Sequence, residues 1–103
     1  MVKVHGMQFE IVHDEKNGWN EEEFKARYSD VLNKYDFIVG DWGYNQLRLK
    51  GFFDDRNRKA TYDTKISTLT EYLFEYCNFG CSYFVIKKVK EARAKNALSV
   101  EGE

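Results

Sequence analysis

Met7, Phe9 and Ile11 alternate with Gln8, Glu10 and Val12, a period of two that predicts a half-buried strand. Val2 and Val4 extend it across Gly6, where a bulge is expected. The pattern then changes period. Phe24, Tyr28, Val31, Leu32 and Tyr35 form one apolar stripe at helical spacing. Asn20 with Glu23 three residues on reads as a capping box, and Trp19 with Phe24 as a hydrophobic staple. Glu21, Glu22 and Glu23 fill the first turn, where the helix dipole favours negative charge. These signals predict a helix over 20–34.

Phe37-Ile38-Val39 reads as a short buried strand, and Gly40 to Asn45 as a turn. In 46–53, Leu47, Leu49 and Phe53 share one strand face, and Arg48, Lys50 and Phe52 the other. Polar residues 54–59 form a turn, and Ala60 with Tyr62 is expected to close a hairpin with 46–53. Ile66, Leu69, Tyr72, Leu73, Tyr76 and Cys77 return to helical spacing. They predict a second helix over 67–77, capped by Thr68 with Glu71 or earlier by Thr64. Gly80 fits a left-handed residue after the helix, and Cys81 to Val89 reads as the last strand. The order predicts an α+β fold, β-α-β-β-(β)-α-β, with a largely antiparallel sheet and both helices on one face. Residues 1–89 make one domain. Residues 90–103 make a basic C-terminal extension, a frayed helix and then a disordered tail.

Three segments resemble a known family. They are Val39-Gly40-Asp41-Trp42-Gly43-Tyr44 followed by Gln46 to Phe52, then Ala60-Thr61-Tyr62-Asp63-Thr64-Lys65-Ile66, then Glu75-Tyr76-Cys77-Asn78-Phe79-Gly80-Cys81. Together, in this order, they closely resemble the YutD-like family of small proteins from Bacillus and related Gram-positive bacteria. The resemblance runs from about Val2 to Lys88. It implies a cytoplasmic bacterial protein with an α+β fold. It implies no activity and carries over no catalytic or ligand residue, because the family is uncharacterised.

Composition narrows the classes. The chain has 103 residues, 43% hydrophobic and 17% aromatic, so one small domain can still bury a core. No apolar run is long enough to span a bilayer, and the first ten residues lack a signal-peptide pattern. A cytoplasmic, non-membrane protein is expected. The net charge is −1, but it is unevenly spread. Residues 1–36 carry five basic and eight acidic groups, whereas 87–95 carry five basic groups and one acid. A basic patch would form only if Arg48, Lys50, Arg56, Arg58 and Lys59 met the C-terminal lysines; otherwise these charges line a solvated face.

Candidate chemistry is sparse. Cys77 and Cys81 are spaced C-x₃-C, which departs from the C-x₂-C of most zinc knuckles and of redox pairs, with His5 and His13 as the only imidazoles. The pair is read as two buried, reduced thiols at a helix-to-strand turn, and no metal or cofactor is expected. Asp41, Asp54, Asp55 and Asp63 are candidate acids, but they sit in or beside turns, where carboxylates serve the backbone. No phosphate-binding glycine motif is present. An enzyme is disfavoured. Lys50-Gly51-Phe52 matches the start of an RNA-binding strand motif, but Phe53-Asp54-Asp55 breaks it.

The reading is therefore a non-catalytic binding module contacting RNA or a ribonucleoprotein. Its surface would combine rings for bases and cations for phosphates: Trp42, Tyr44, Arg48, Lys50, Phe52, Arg56, Arg58 and Lys59. The helices would cover the Leu47–Leu49 face and leave Arg48 and Lys50 outward. One alternative is a protein-interaction or adaptor domain centred on the Trp42–Tyr44 loop, since Trp, Tyr and Arg dominate such sites. Another is a small enzyme, metal or redox protein using Cys77 and Cys81.

Overall fold

A computed structural model of the chain describes residues 2–76 and 80–89. Five strands form one sheet: β1 (Val2–Val4), β2 (Met7–Glu15), β3 (Phe37–Gly43), β4 (Gln46–Phe52) and β5 (Tyr83–Val89). Their order is β1-β2-β5-β3-β4, and every neighbouring pair is antiparallel. The last strand in sequence is therefore the central one. Two helices complete the α+β fold, α1 (Glu21–Arg27) and α2 (Leu69–Tyr76).

Local chemistry explains both hairpins. Val4 pairs with Met7 and Gly43 with Gln46, so each turn has two central residues. All four have positive φ: His5 50°, Gly6 78°, Tyr44 54° and Asn45 63°. That is the geometry matching the right-handed twist of paired strands. The expected bulge at Gly6 is thus a hairpin turn. The bulge lies in β2 instead, where Val12 is the extra residue between Ile11 and His13. The expected turn at 40–45 shrinks to Tyr44-Asn45, because Gly40 to Gly43 continue β3.

The first helix is shorter than its apolar stripe. Asn20 Oδ1 accepts from Glu23 N at 3.0 Å, and the Trp19 and Phe24 rings stand 5.2 Å apart. Tyr28 then turns extended, at φ −67° and ψ 142°, and ends α1. A 3-10 turn over Asp30–Lys34 follows, with the Ser29 hydroxyl accepting from Val31 N. Ser29 offers the chain a fresh cap, and this local bond interrupts the predicted helix over 20–34. Asn20→Ala should cost about 1 kcal/mol of stability, measured by urea denaturation, through loss of the cap.

The second half differs more. Ala60 and Tyr62 form no strand; Tyr62–Thr64 and Ile66–Thr68 are 3-10 turns leading into α2. The Thr64 hydroxyl accepts from the Thr61 N–H at 2.8 Å, a local bond that favours a turn over a ladder. An isolated parallel bridge, Phe53 with Lys65, ties this segment to the chain just after β4, and Ile66 packs against the Phe52 cluster.

The two helices do not share a face. Phe24, Tyr28 and Leu32 pack with Phe9, Ile38, Leu47, Phe84 and Ile86 on the first face. Leu69 and Tyr72 pack against Val39, Phe52 and Val85 on the second. The physical reason is visible in β3 and β5. Ile38 and Val39, like Phe84, Val85 and Ile86, are consecutive apolar residues, and a strand turns consecutive side chains to opposite faces. Both faces therefore need a cover. The proposed frayed helix over 90–98 and the tail after it lie outside the described residues.

Candidate functional site

The second face carries the most polar chemistry. Asp41 in β3 is 0% exposed. Its Oδ1 accepts from Arg48 Nε at 2.9 Å and Nη2 at 2.5 Å, and its Oδ2 accepts from the Tyr72 hydroxyl at 2.8 Å. Arg48 Nη2 also donates to the Tyr76 carbonyl at 2.8 Å. One buried carboxylate thus fastens α2 to the sheet twice, directly through Tyr72 and through Arg48 to Tyr76. Burial, then the bond to Asp41, holds the Tyr72 phenol well above its ordinary pKa. Arg48's own hydrogen bonds to Asp41 raise its pKa above the ordinary value.

Lys50 lies beside this network. Its Nζ stands 5.2 Å from the Phe52 ring centre and 5.8 Å from that of Tyr72. Across from it, the Tyr62 hydroxyl donates to both oxygens of Glu71, at 3.0 and 3.1 Å. A cleft of about 520 Å³ opens between these groups, lined by Lys50, Tyr62, Asp63, Glu71, Glu75 and Tyr76 among others. Phe74 is 92% exposed on α2, with Tyr62 and Tyr76 also exposed.

The residues expected to form one aromatic and basic surface are divided. Arg48 and Lys50 do share the second face, but α2 lies on that face, and both cations are engaged within the protein. Phe52 is completely buried, so its ring meets core and not a partner; this corrects its place in the expected surface. Trp42 packs against the first-face core, and its Nε1 donates to the Gly18 carbonyl at 2.7 Å. Tyr44, on the turn, is 97% exposed.

Arg56 pairs with Asp54 at 3.1 Å, and this bond lowers the Asp54 pKa. Arg56 shares a second cleft with Lys87 and Lys88, so part of the expected basic cluster does meet the end of β5. Glu10, Asp36 and Asp54 line the same cleft and offset those charges. Arg58 and Lys59 are exposed in the loop beyond. Cys81 is disulfide-bonded, which corrects the expectation of a reduced thiol there; Cys77 lies outside the described residues. Sequence reasoning missed the Asp41–Arg48–Tyr72 network. Its only signal was an acid on one strand and an arginine on the next at hairpin register.

Comparison with known proteins places the chain. The family described as "Putative antitoxin YutD-like" matches residues 3–87. The chain belongs to this YutD-like family, as its motifs implied. It is 68% identical over 91 residues to "Putative antitoxin YutD" of Bacillus subtilis strain 168, covering 88% of this chain and all of that protein. Its fold is similar to the solution NMR structure of protein yutD from B. subtilis, with a TM-score of 0.74 and 69% identity. That match covers 87% of this chain and 82% of the other. Among the described residues, no helix is long and apolar enough to cross a membrane.

Proposed function

We propose that this protein is a non-catalytic, cytoplasmic binding module whose partner is another protein, held by the outer side of the α2 layer. The observation that carries this reading is the set of rings that segment 62–76 leaves in water, Tyr62, Phe74 and Tyr76. Aromatic side chains bring large contact area at low entropic cost and dominate the energetics of protein interfaces. Free cations for phosphate are fewer than the sequence promised, since Arg48, Lys50 and Arg56 already have carboxylate or ring partners. The family description "Putative antitoxin YutD-like" supports the same reading, because a protein that neutralises a toxin by binding it needs a protein-binding surface.

The test is capture of partners from a Bacillus lysate on the immobilised protein, with and without nuclease, followed by titration of the identified partner. Binding should survive nuclease and depend weakly on salt. Phe74→Ala with Tyr76→Ala should weaken it by about 2 kcal/mol or more, as hot-spot loss does, with the fold intact by circular dichroism. Capture abolished by nuclease, with an affinity falling steeply as salt rises, would instead establish the RNA reading.

A further inference from the structure

We propose that the cleft between α2 and the Tyr62–Thr64 turn receives a cationic side chain of the partner protein, arginine in preference to lysine. This inference rests on the protein-binding reading above and names the chemistry the partner presents. Its first support is charge. Among the described residues, Asp63, Glu71 and Glu75 line the cleft against the single cation Lys50. Glu71 and Glu75 stand one helical turn apart, a like-charge spacing that destabilises an isolated helix. Tyr62 donates to Glu71, but neither Glu75 nor Asp63 has a cationic partner among the described residues. An incoming cation relieves this repulsion, whereas a polyanion would add to it.

The second support is the wall. The Tyr72 and Tyr76 rings lie 5.1 Å apart, tilted by 35°, and Tyr62 lines the same cleft. Lys50 already sets an ammonium against Tyr72 from within the protein, so this wall holds a cation in the free molecule. The carboxylates do not converge into a group able to hold a metal ion among the described residues. Glu71 and Glu75 line the same cleft as the Tyr72 and Tyr76 rings, which suits a flat guanidinium that stacks on a ring and bonds an acid beside it.

The probe is N-acetyl-arginine amide, titrated into the full ¹⁵N-labelled chain and followed by amide chemical shifts. Saturable shifts should appear at Asp63, Glu71, Glu75 and Tyr76, and N-acetyl-glutamine amide should produce none. Glu71→Gln with Glu75→Gln should weaken binding on the order of tenfold. Lys50→Met, which removes the internal cation, should tighten it. Shifts scattered over the surface, an unchanged affinity in the double variant, or weaker binding in Lys50→Met would overturn the inference. If the probe fails while protein capture persists, this inference falls and the proposed function stands. If the probe binds at the cleft while capture fails, the proposed function falls and takes with it the assignment of that cation to a partner protein.

Discussion

Phe84→Ala should be among the most damaging single changes in this protein, lowering stability by about 3–5 kcal/mol. The ring is fully buried in the central strand, 4.9 Å from Trp19 and 6.1 Å from Phe24, so it joins β5 to the α1 layer. It also lies on Gly40 of the neighbouring strand. A Cβ built at Gly40 would stand 2.2 Å from the Phe84 ring, far inside contact distance. Gly40→Ala should therefore cost about 1–3 kcal/mol by overpacking. The two changes share one space and should not add. In a Phe84→Ala background, Gly40→Ala should be nearly neutral, because the methyl enters the cavity it would otherwise have collided with. Urea unfolding of the four proteins measures this directly, and simple additivity would refute the contact.

Arg48→Met should cost about 2–4 kcal/mol, less than a fully buried pair because Arg48 is 51% exposed and water can reach its place. The loss falls on Asp41, which has no exposure and would keep only the Tyr72 hydroxyl as a partner. Asp41→Asn removes the charge, so in that background Arg48→Met should cost markedly less. The effect should also be local before it is global. No residue of α2 is fully buried, and the carboxylate supplies two of its attachments to the sheet. Amide exchange in 69–76 should therefore accelerate in Arg48→Met more than exchange in β3 or β5. Because two of the exposed rings of the proposed interface, Phe74 and Tyr76, ride on α2, partner binding should weaken in parallel.

Most elements of the fold were legible in the sequence, for local reasons. The Asn20 cap, the Trp19–Phe24 staple and the alternation of Met7 to Ile11 each involve residues within a few positions of one another. The short strand at 60–62 was misread because Thr61 and Thr64 satisfy their own backbone, a bond that composition does not announce. The site was less legible. Arg48, Lys50 and Phe52 do share one side of a strand, but the alternation does not say which side faces water.

Sequence by itself determined the α+β class, the family through its three motifs, and the capped start of α1. It also held an unread signal for the architecture. Ile38-Val39 and Phe84-Val85-Ile86 are apolar on consecutive positions, which only a strand covered on both faces can satisfy. The tertiary structure decided which cover goes where. It inserted the last strand between β2 and β3, laid α2 on the Arg48–Lys50 face, and buried Asp41 beneath it. Those outcomes depend on pairings between residues 20 or more positions apart, such as Asp41 with Tyr72. Local patterning records which side chains must be buried, but not which distant surface buries them.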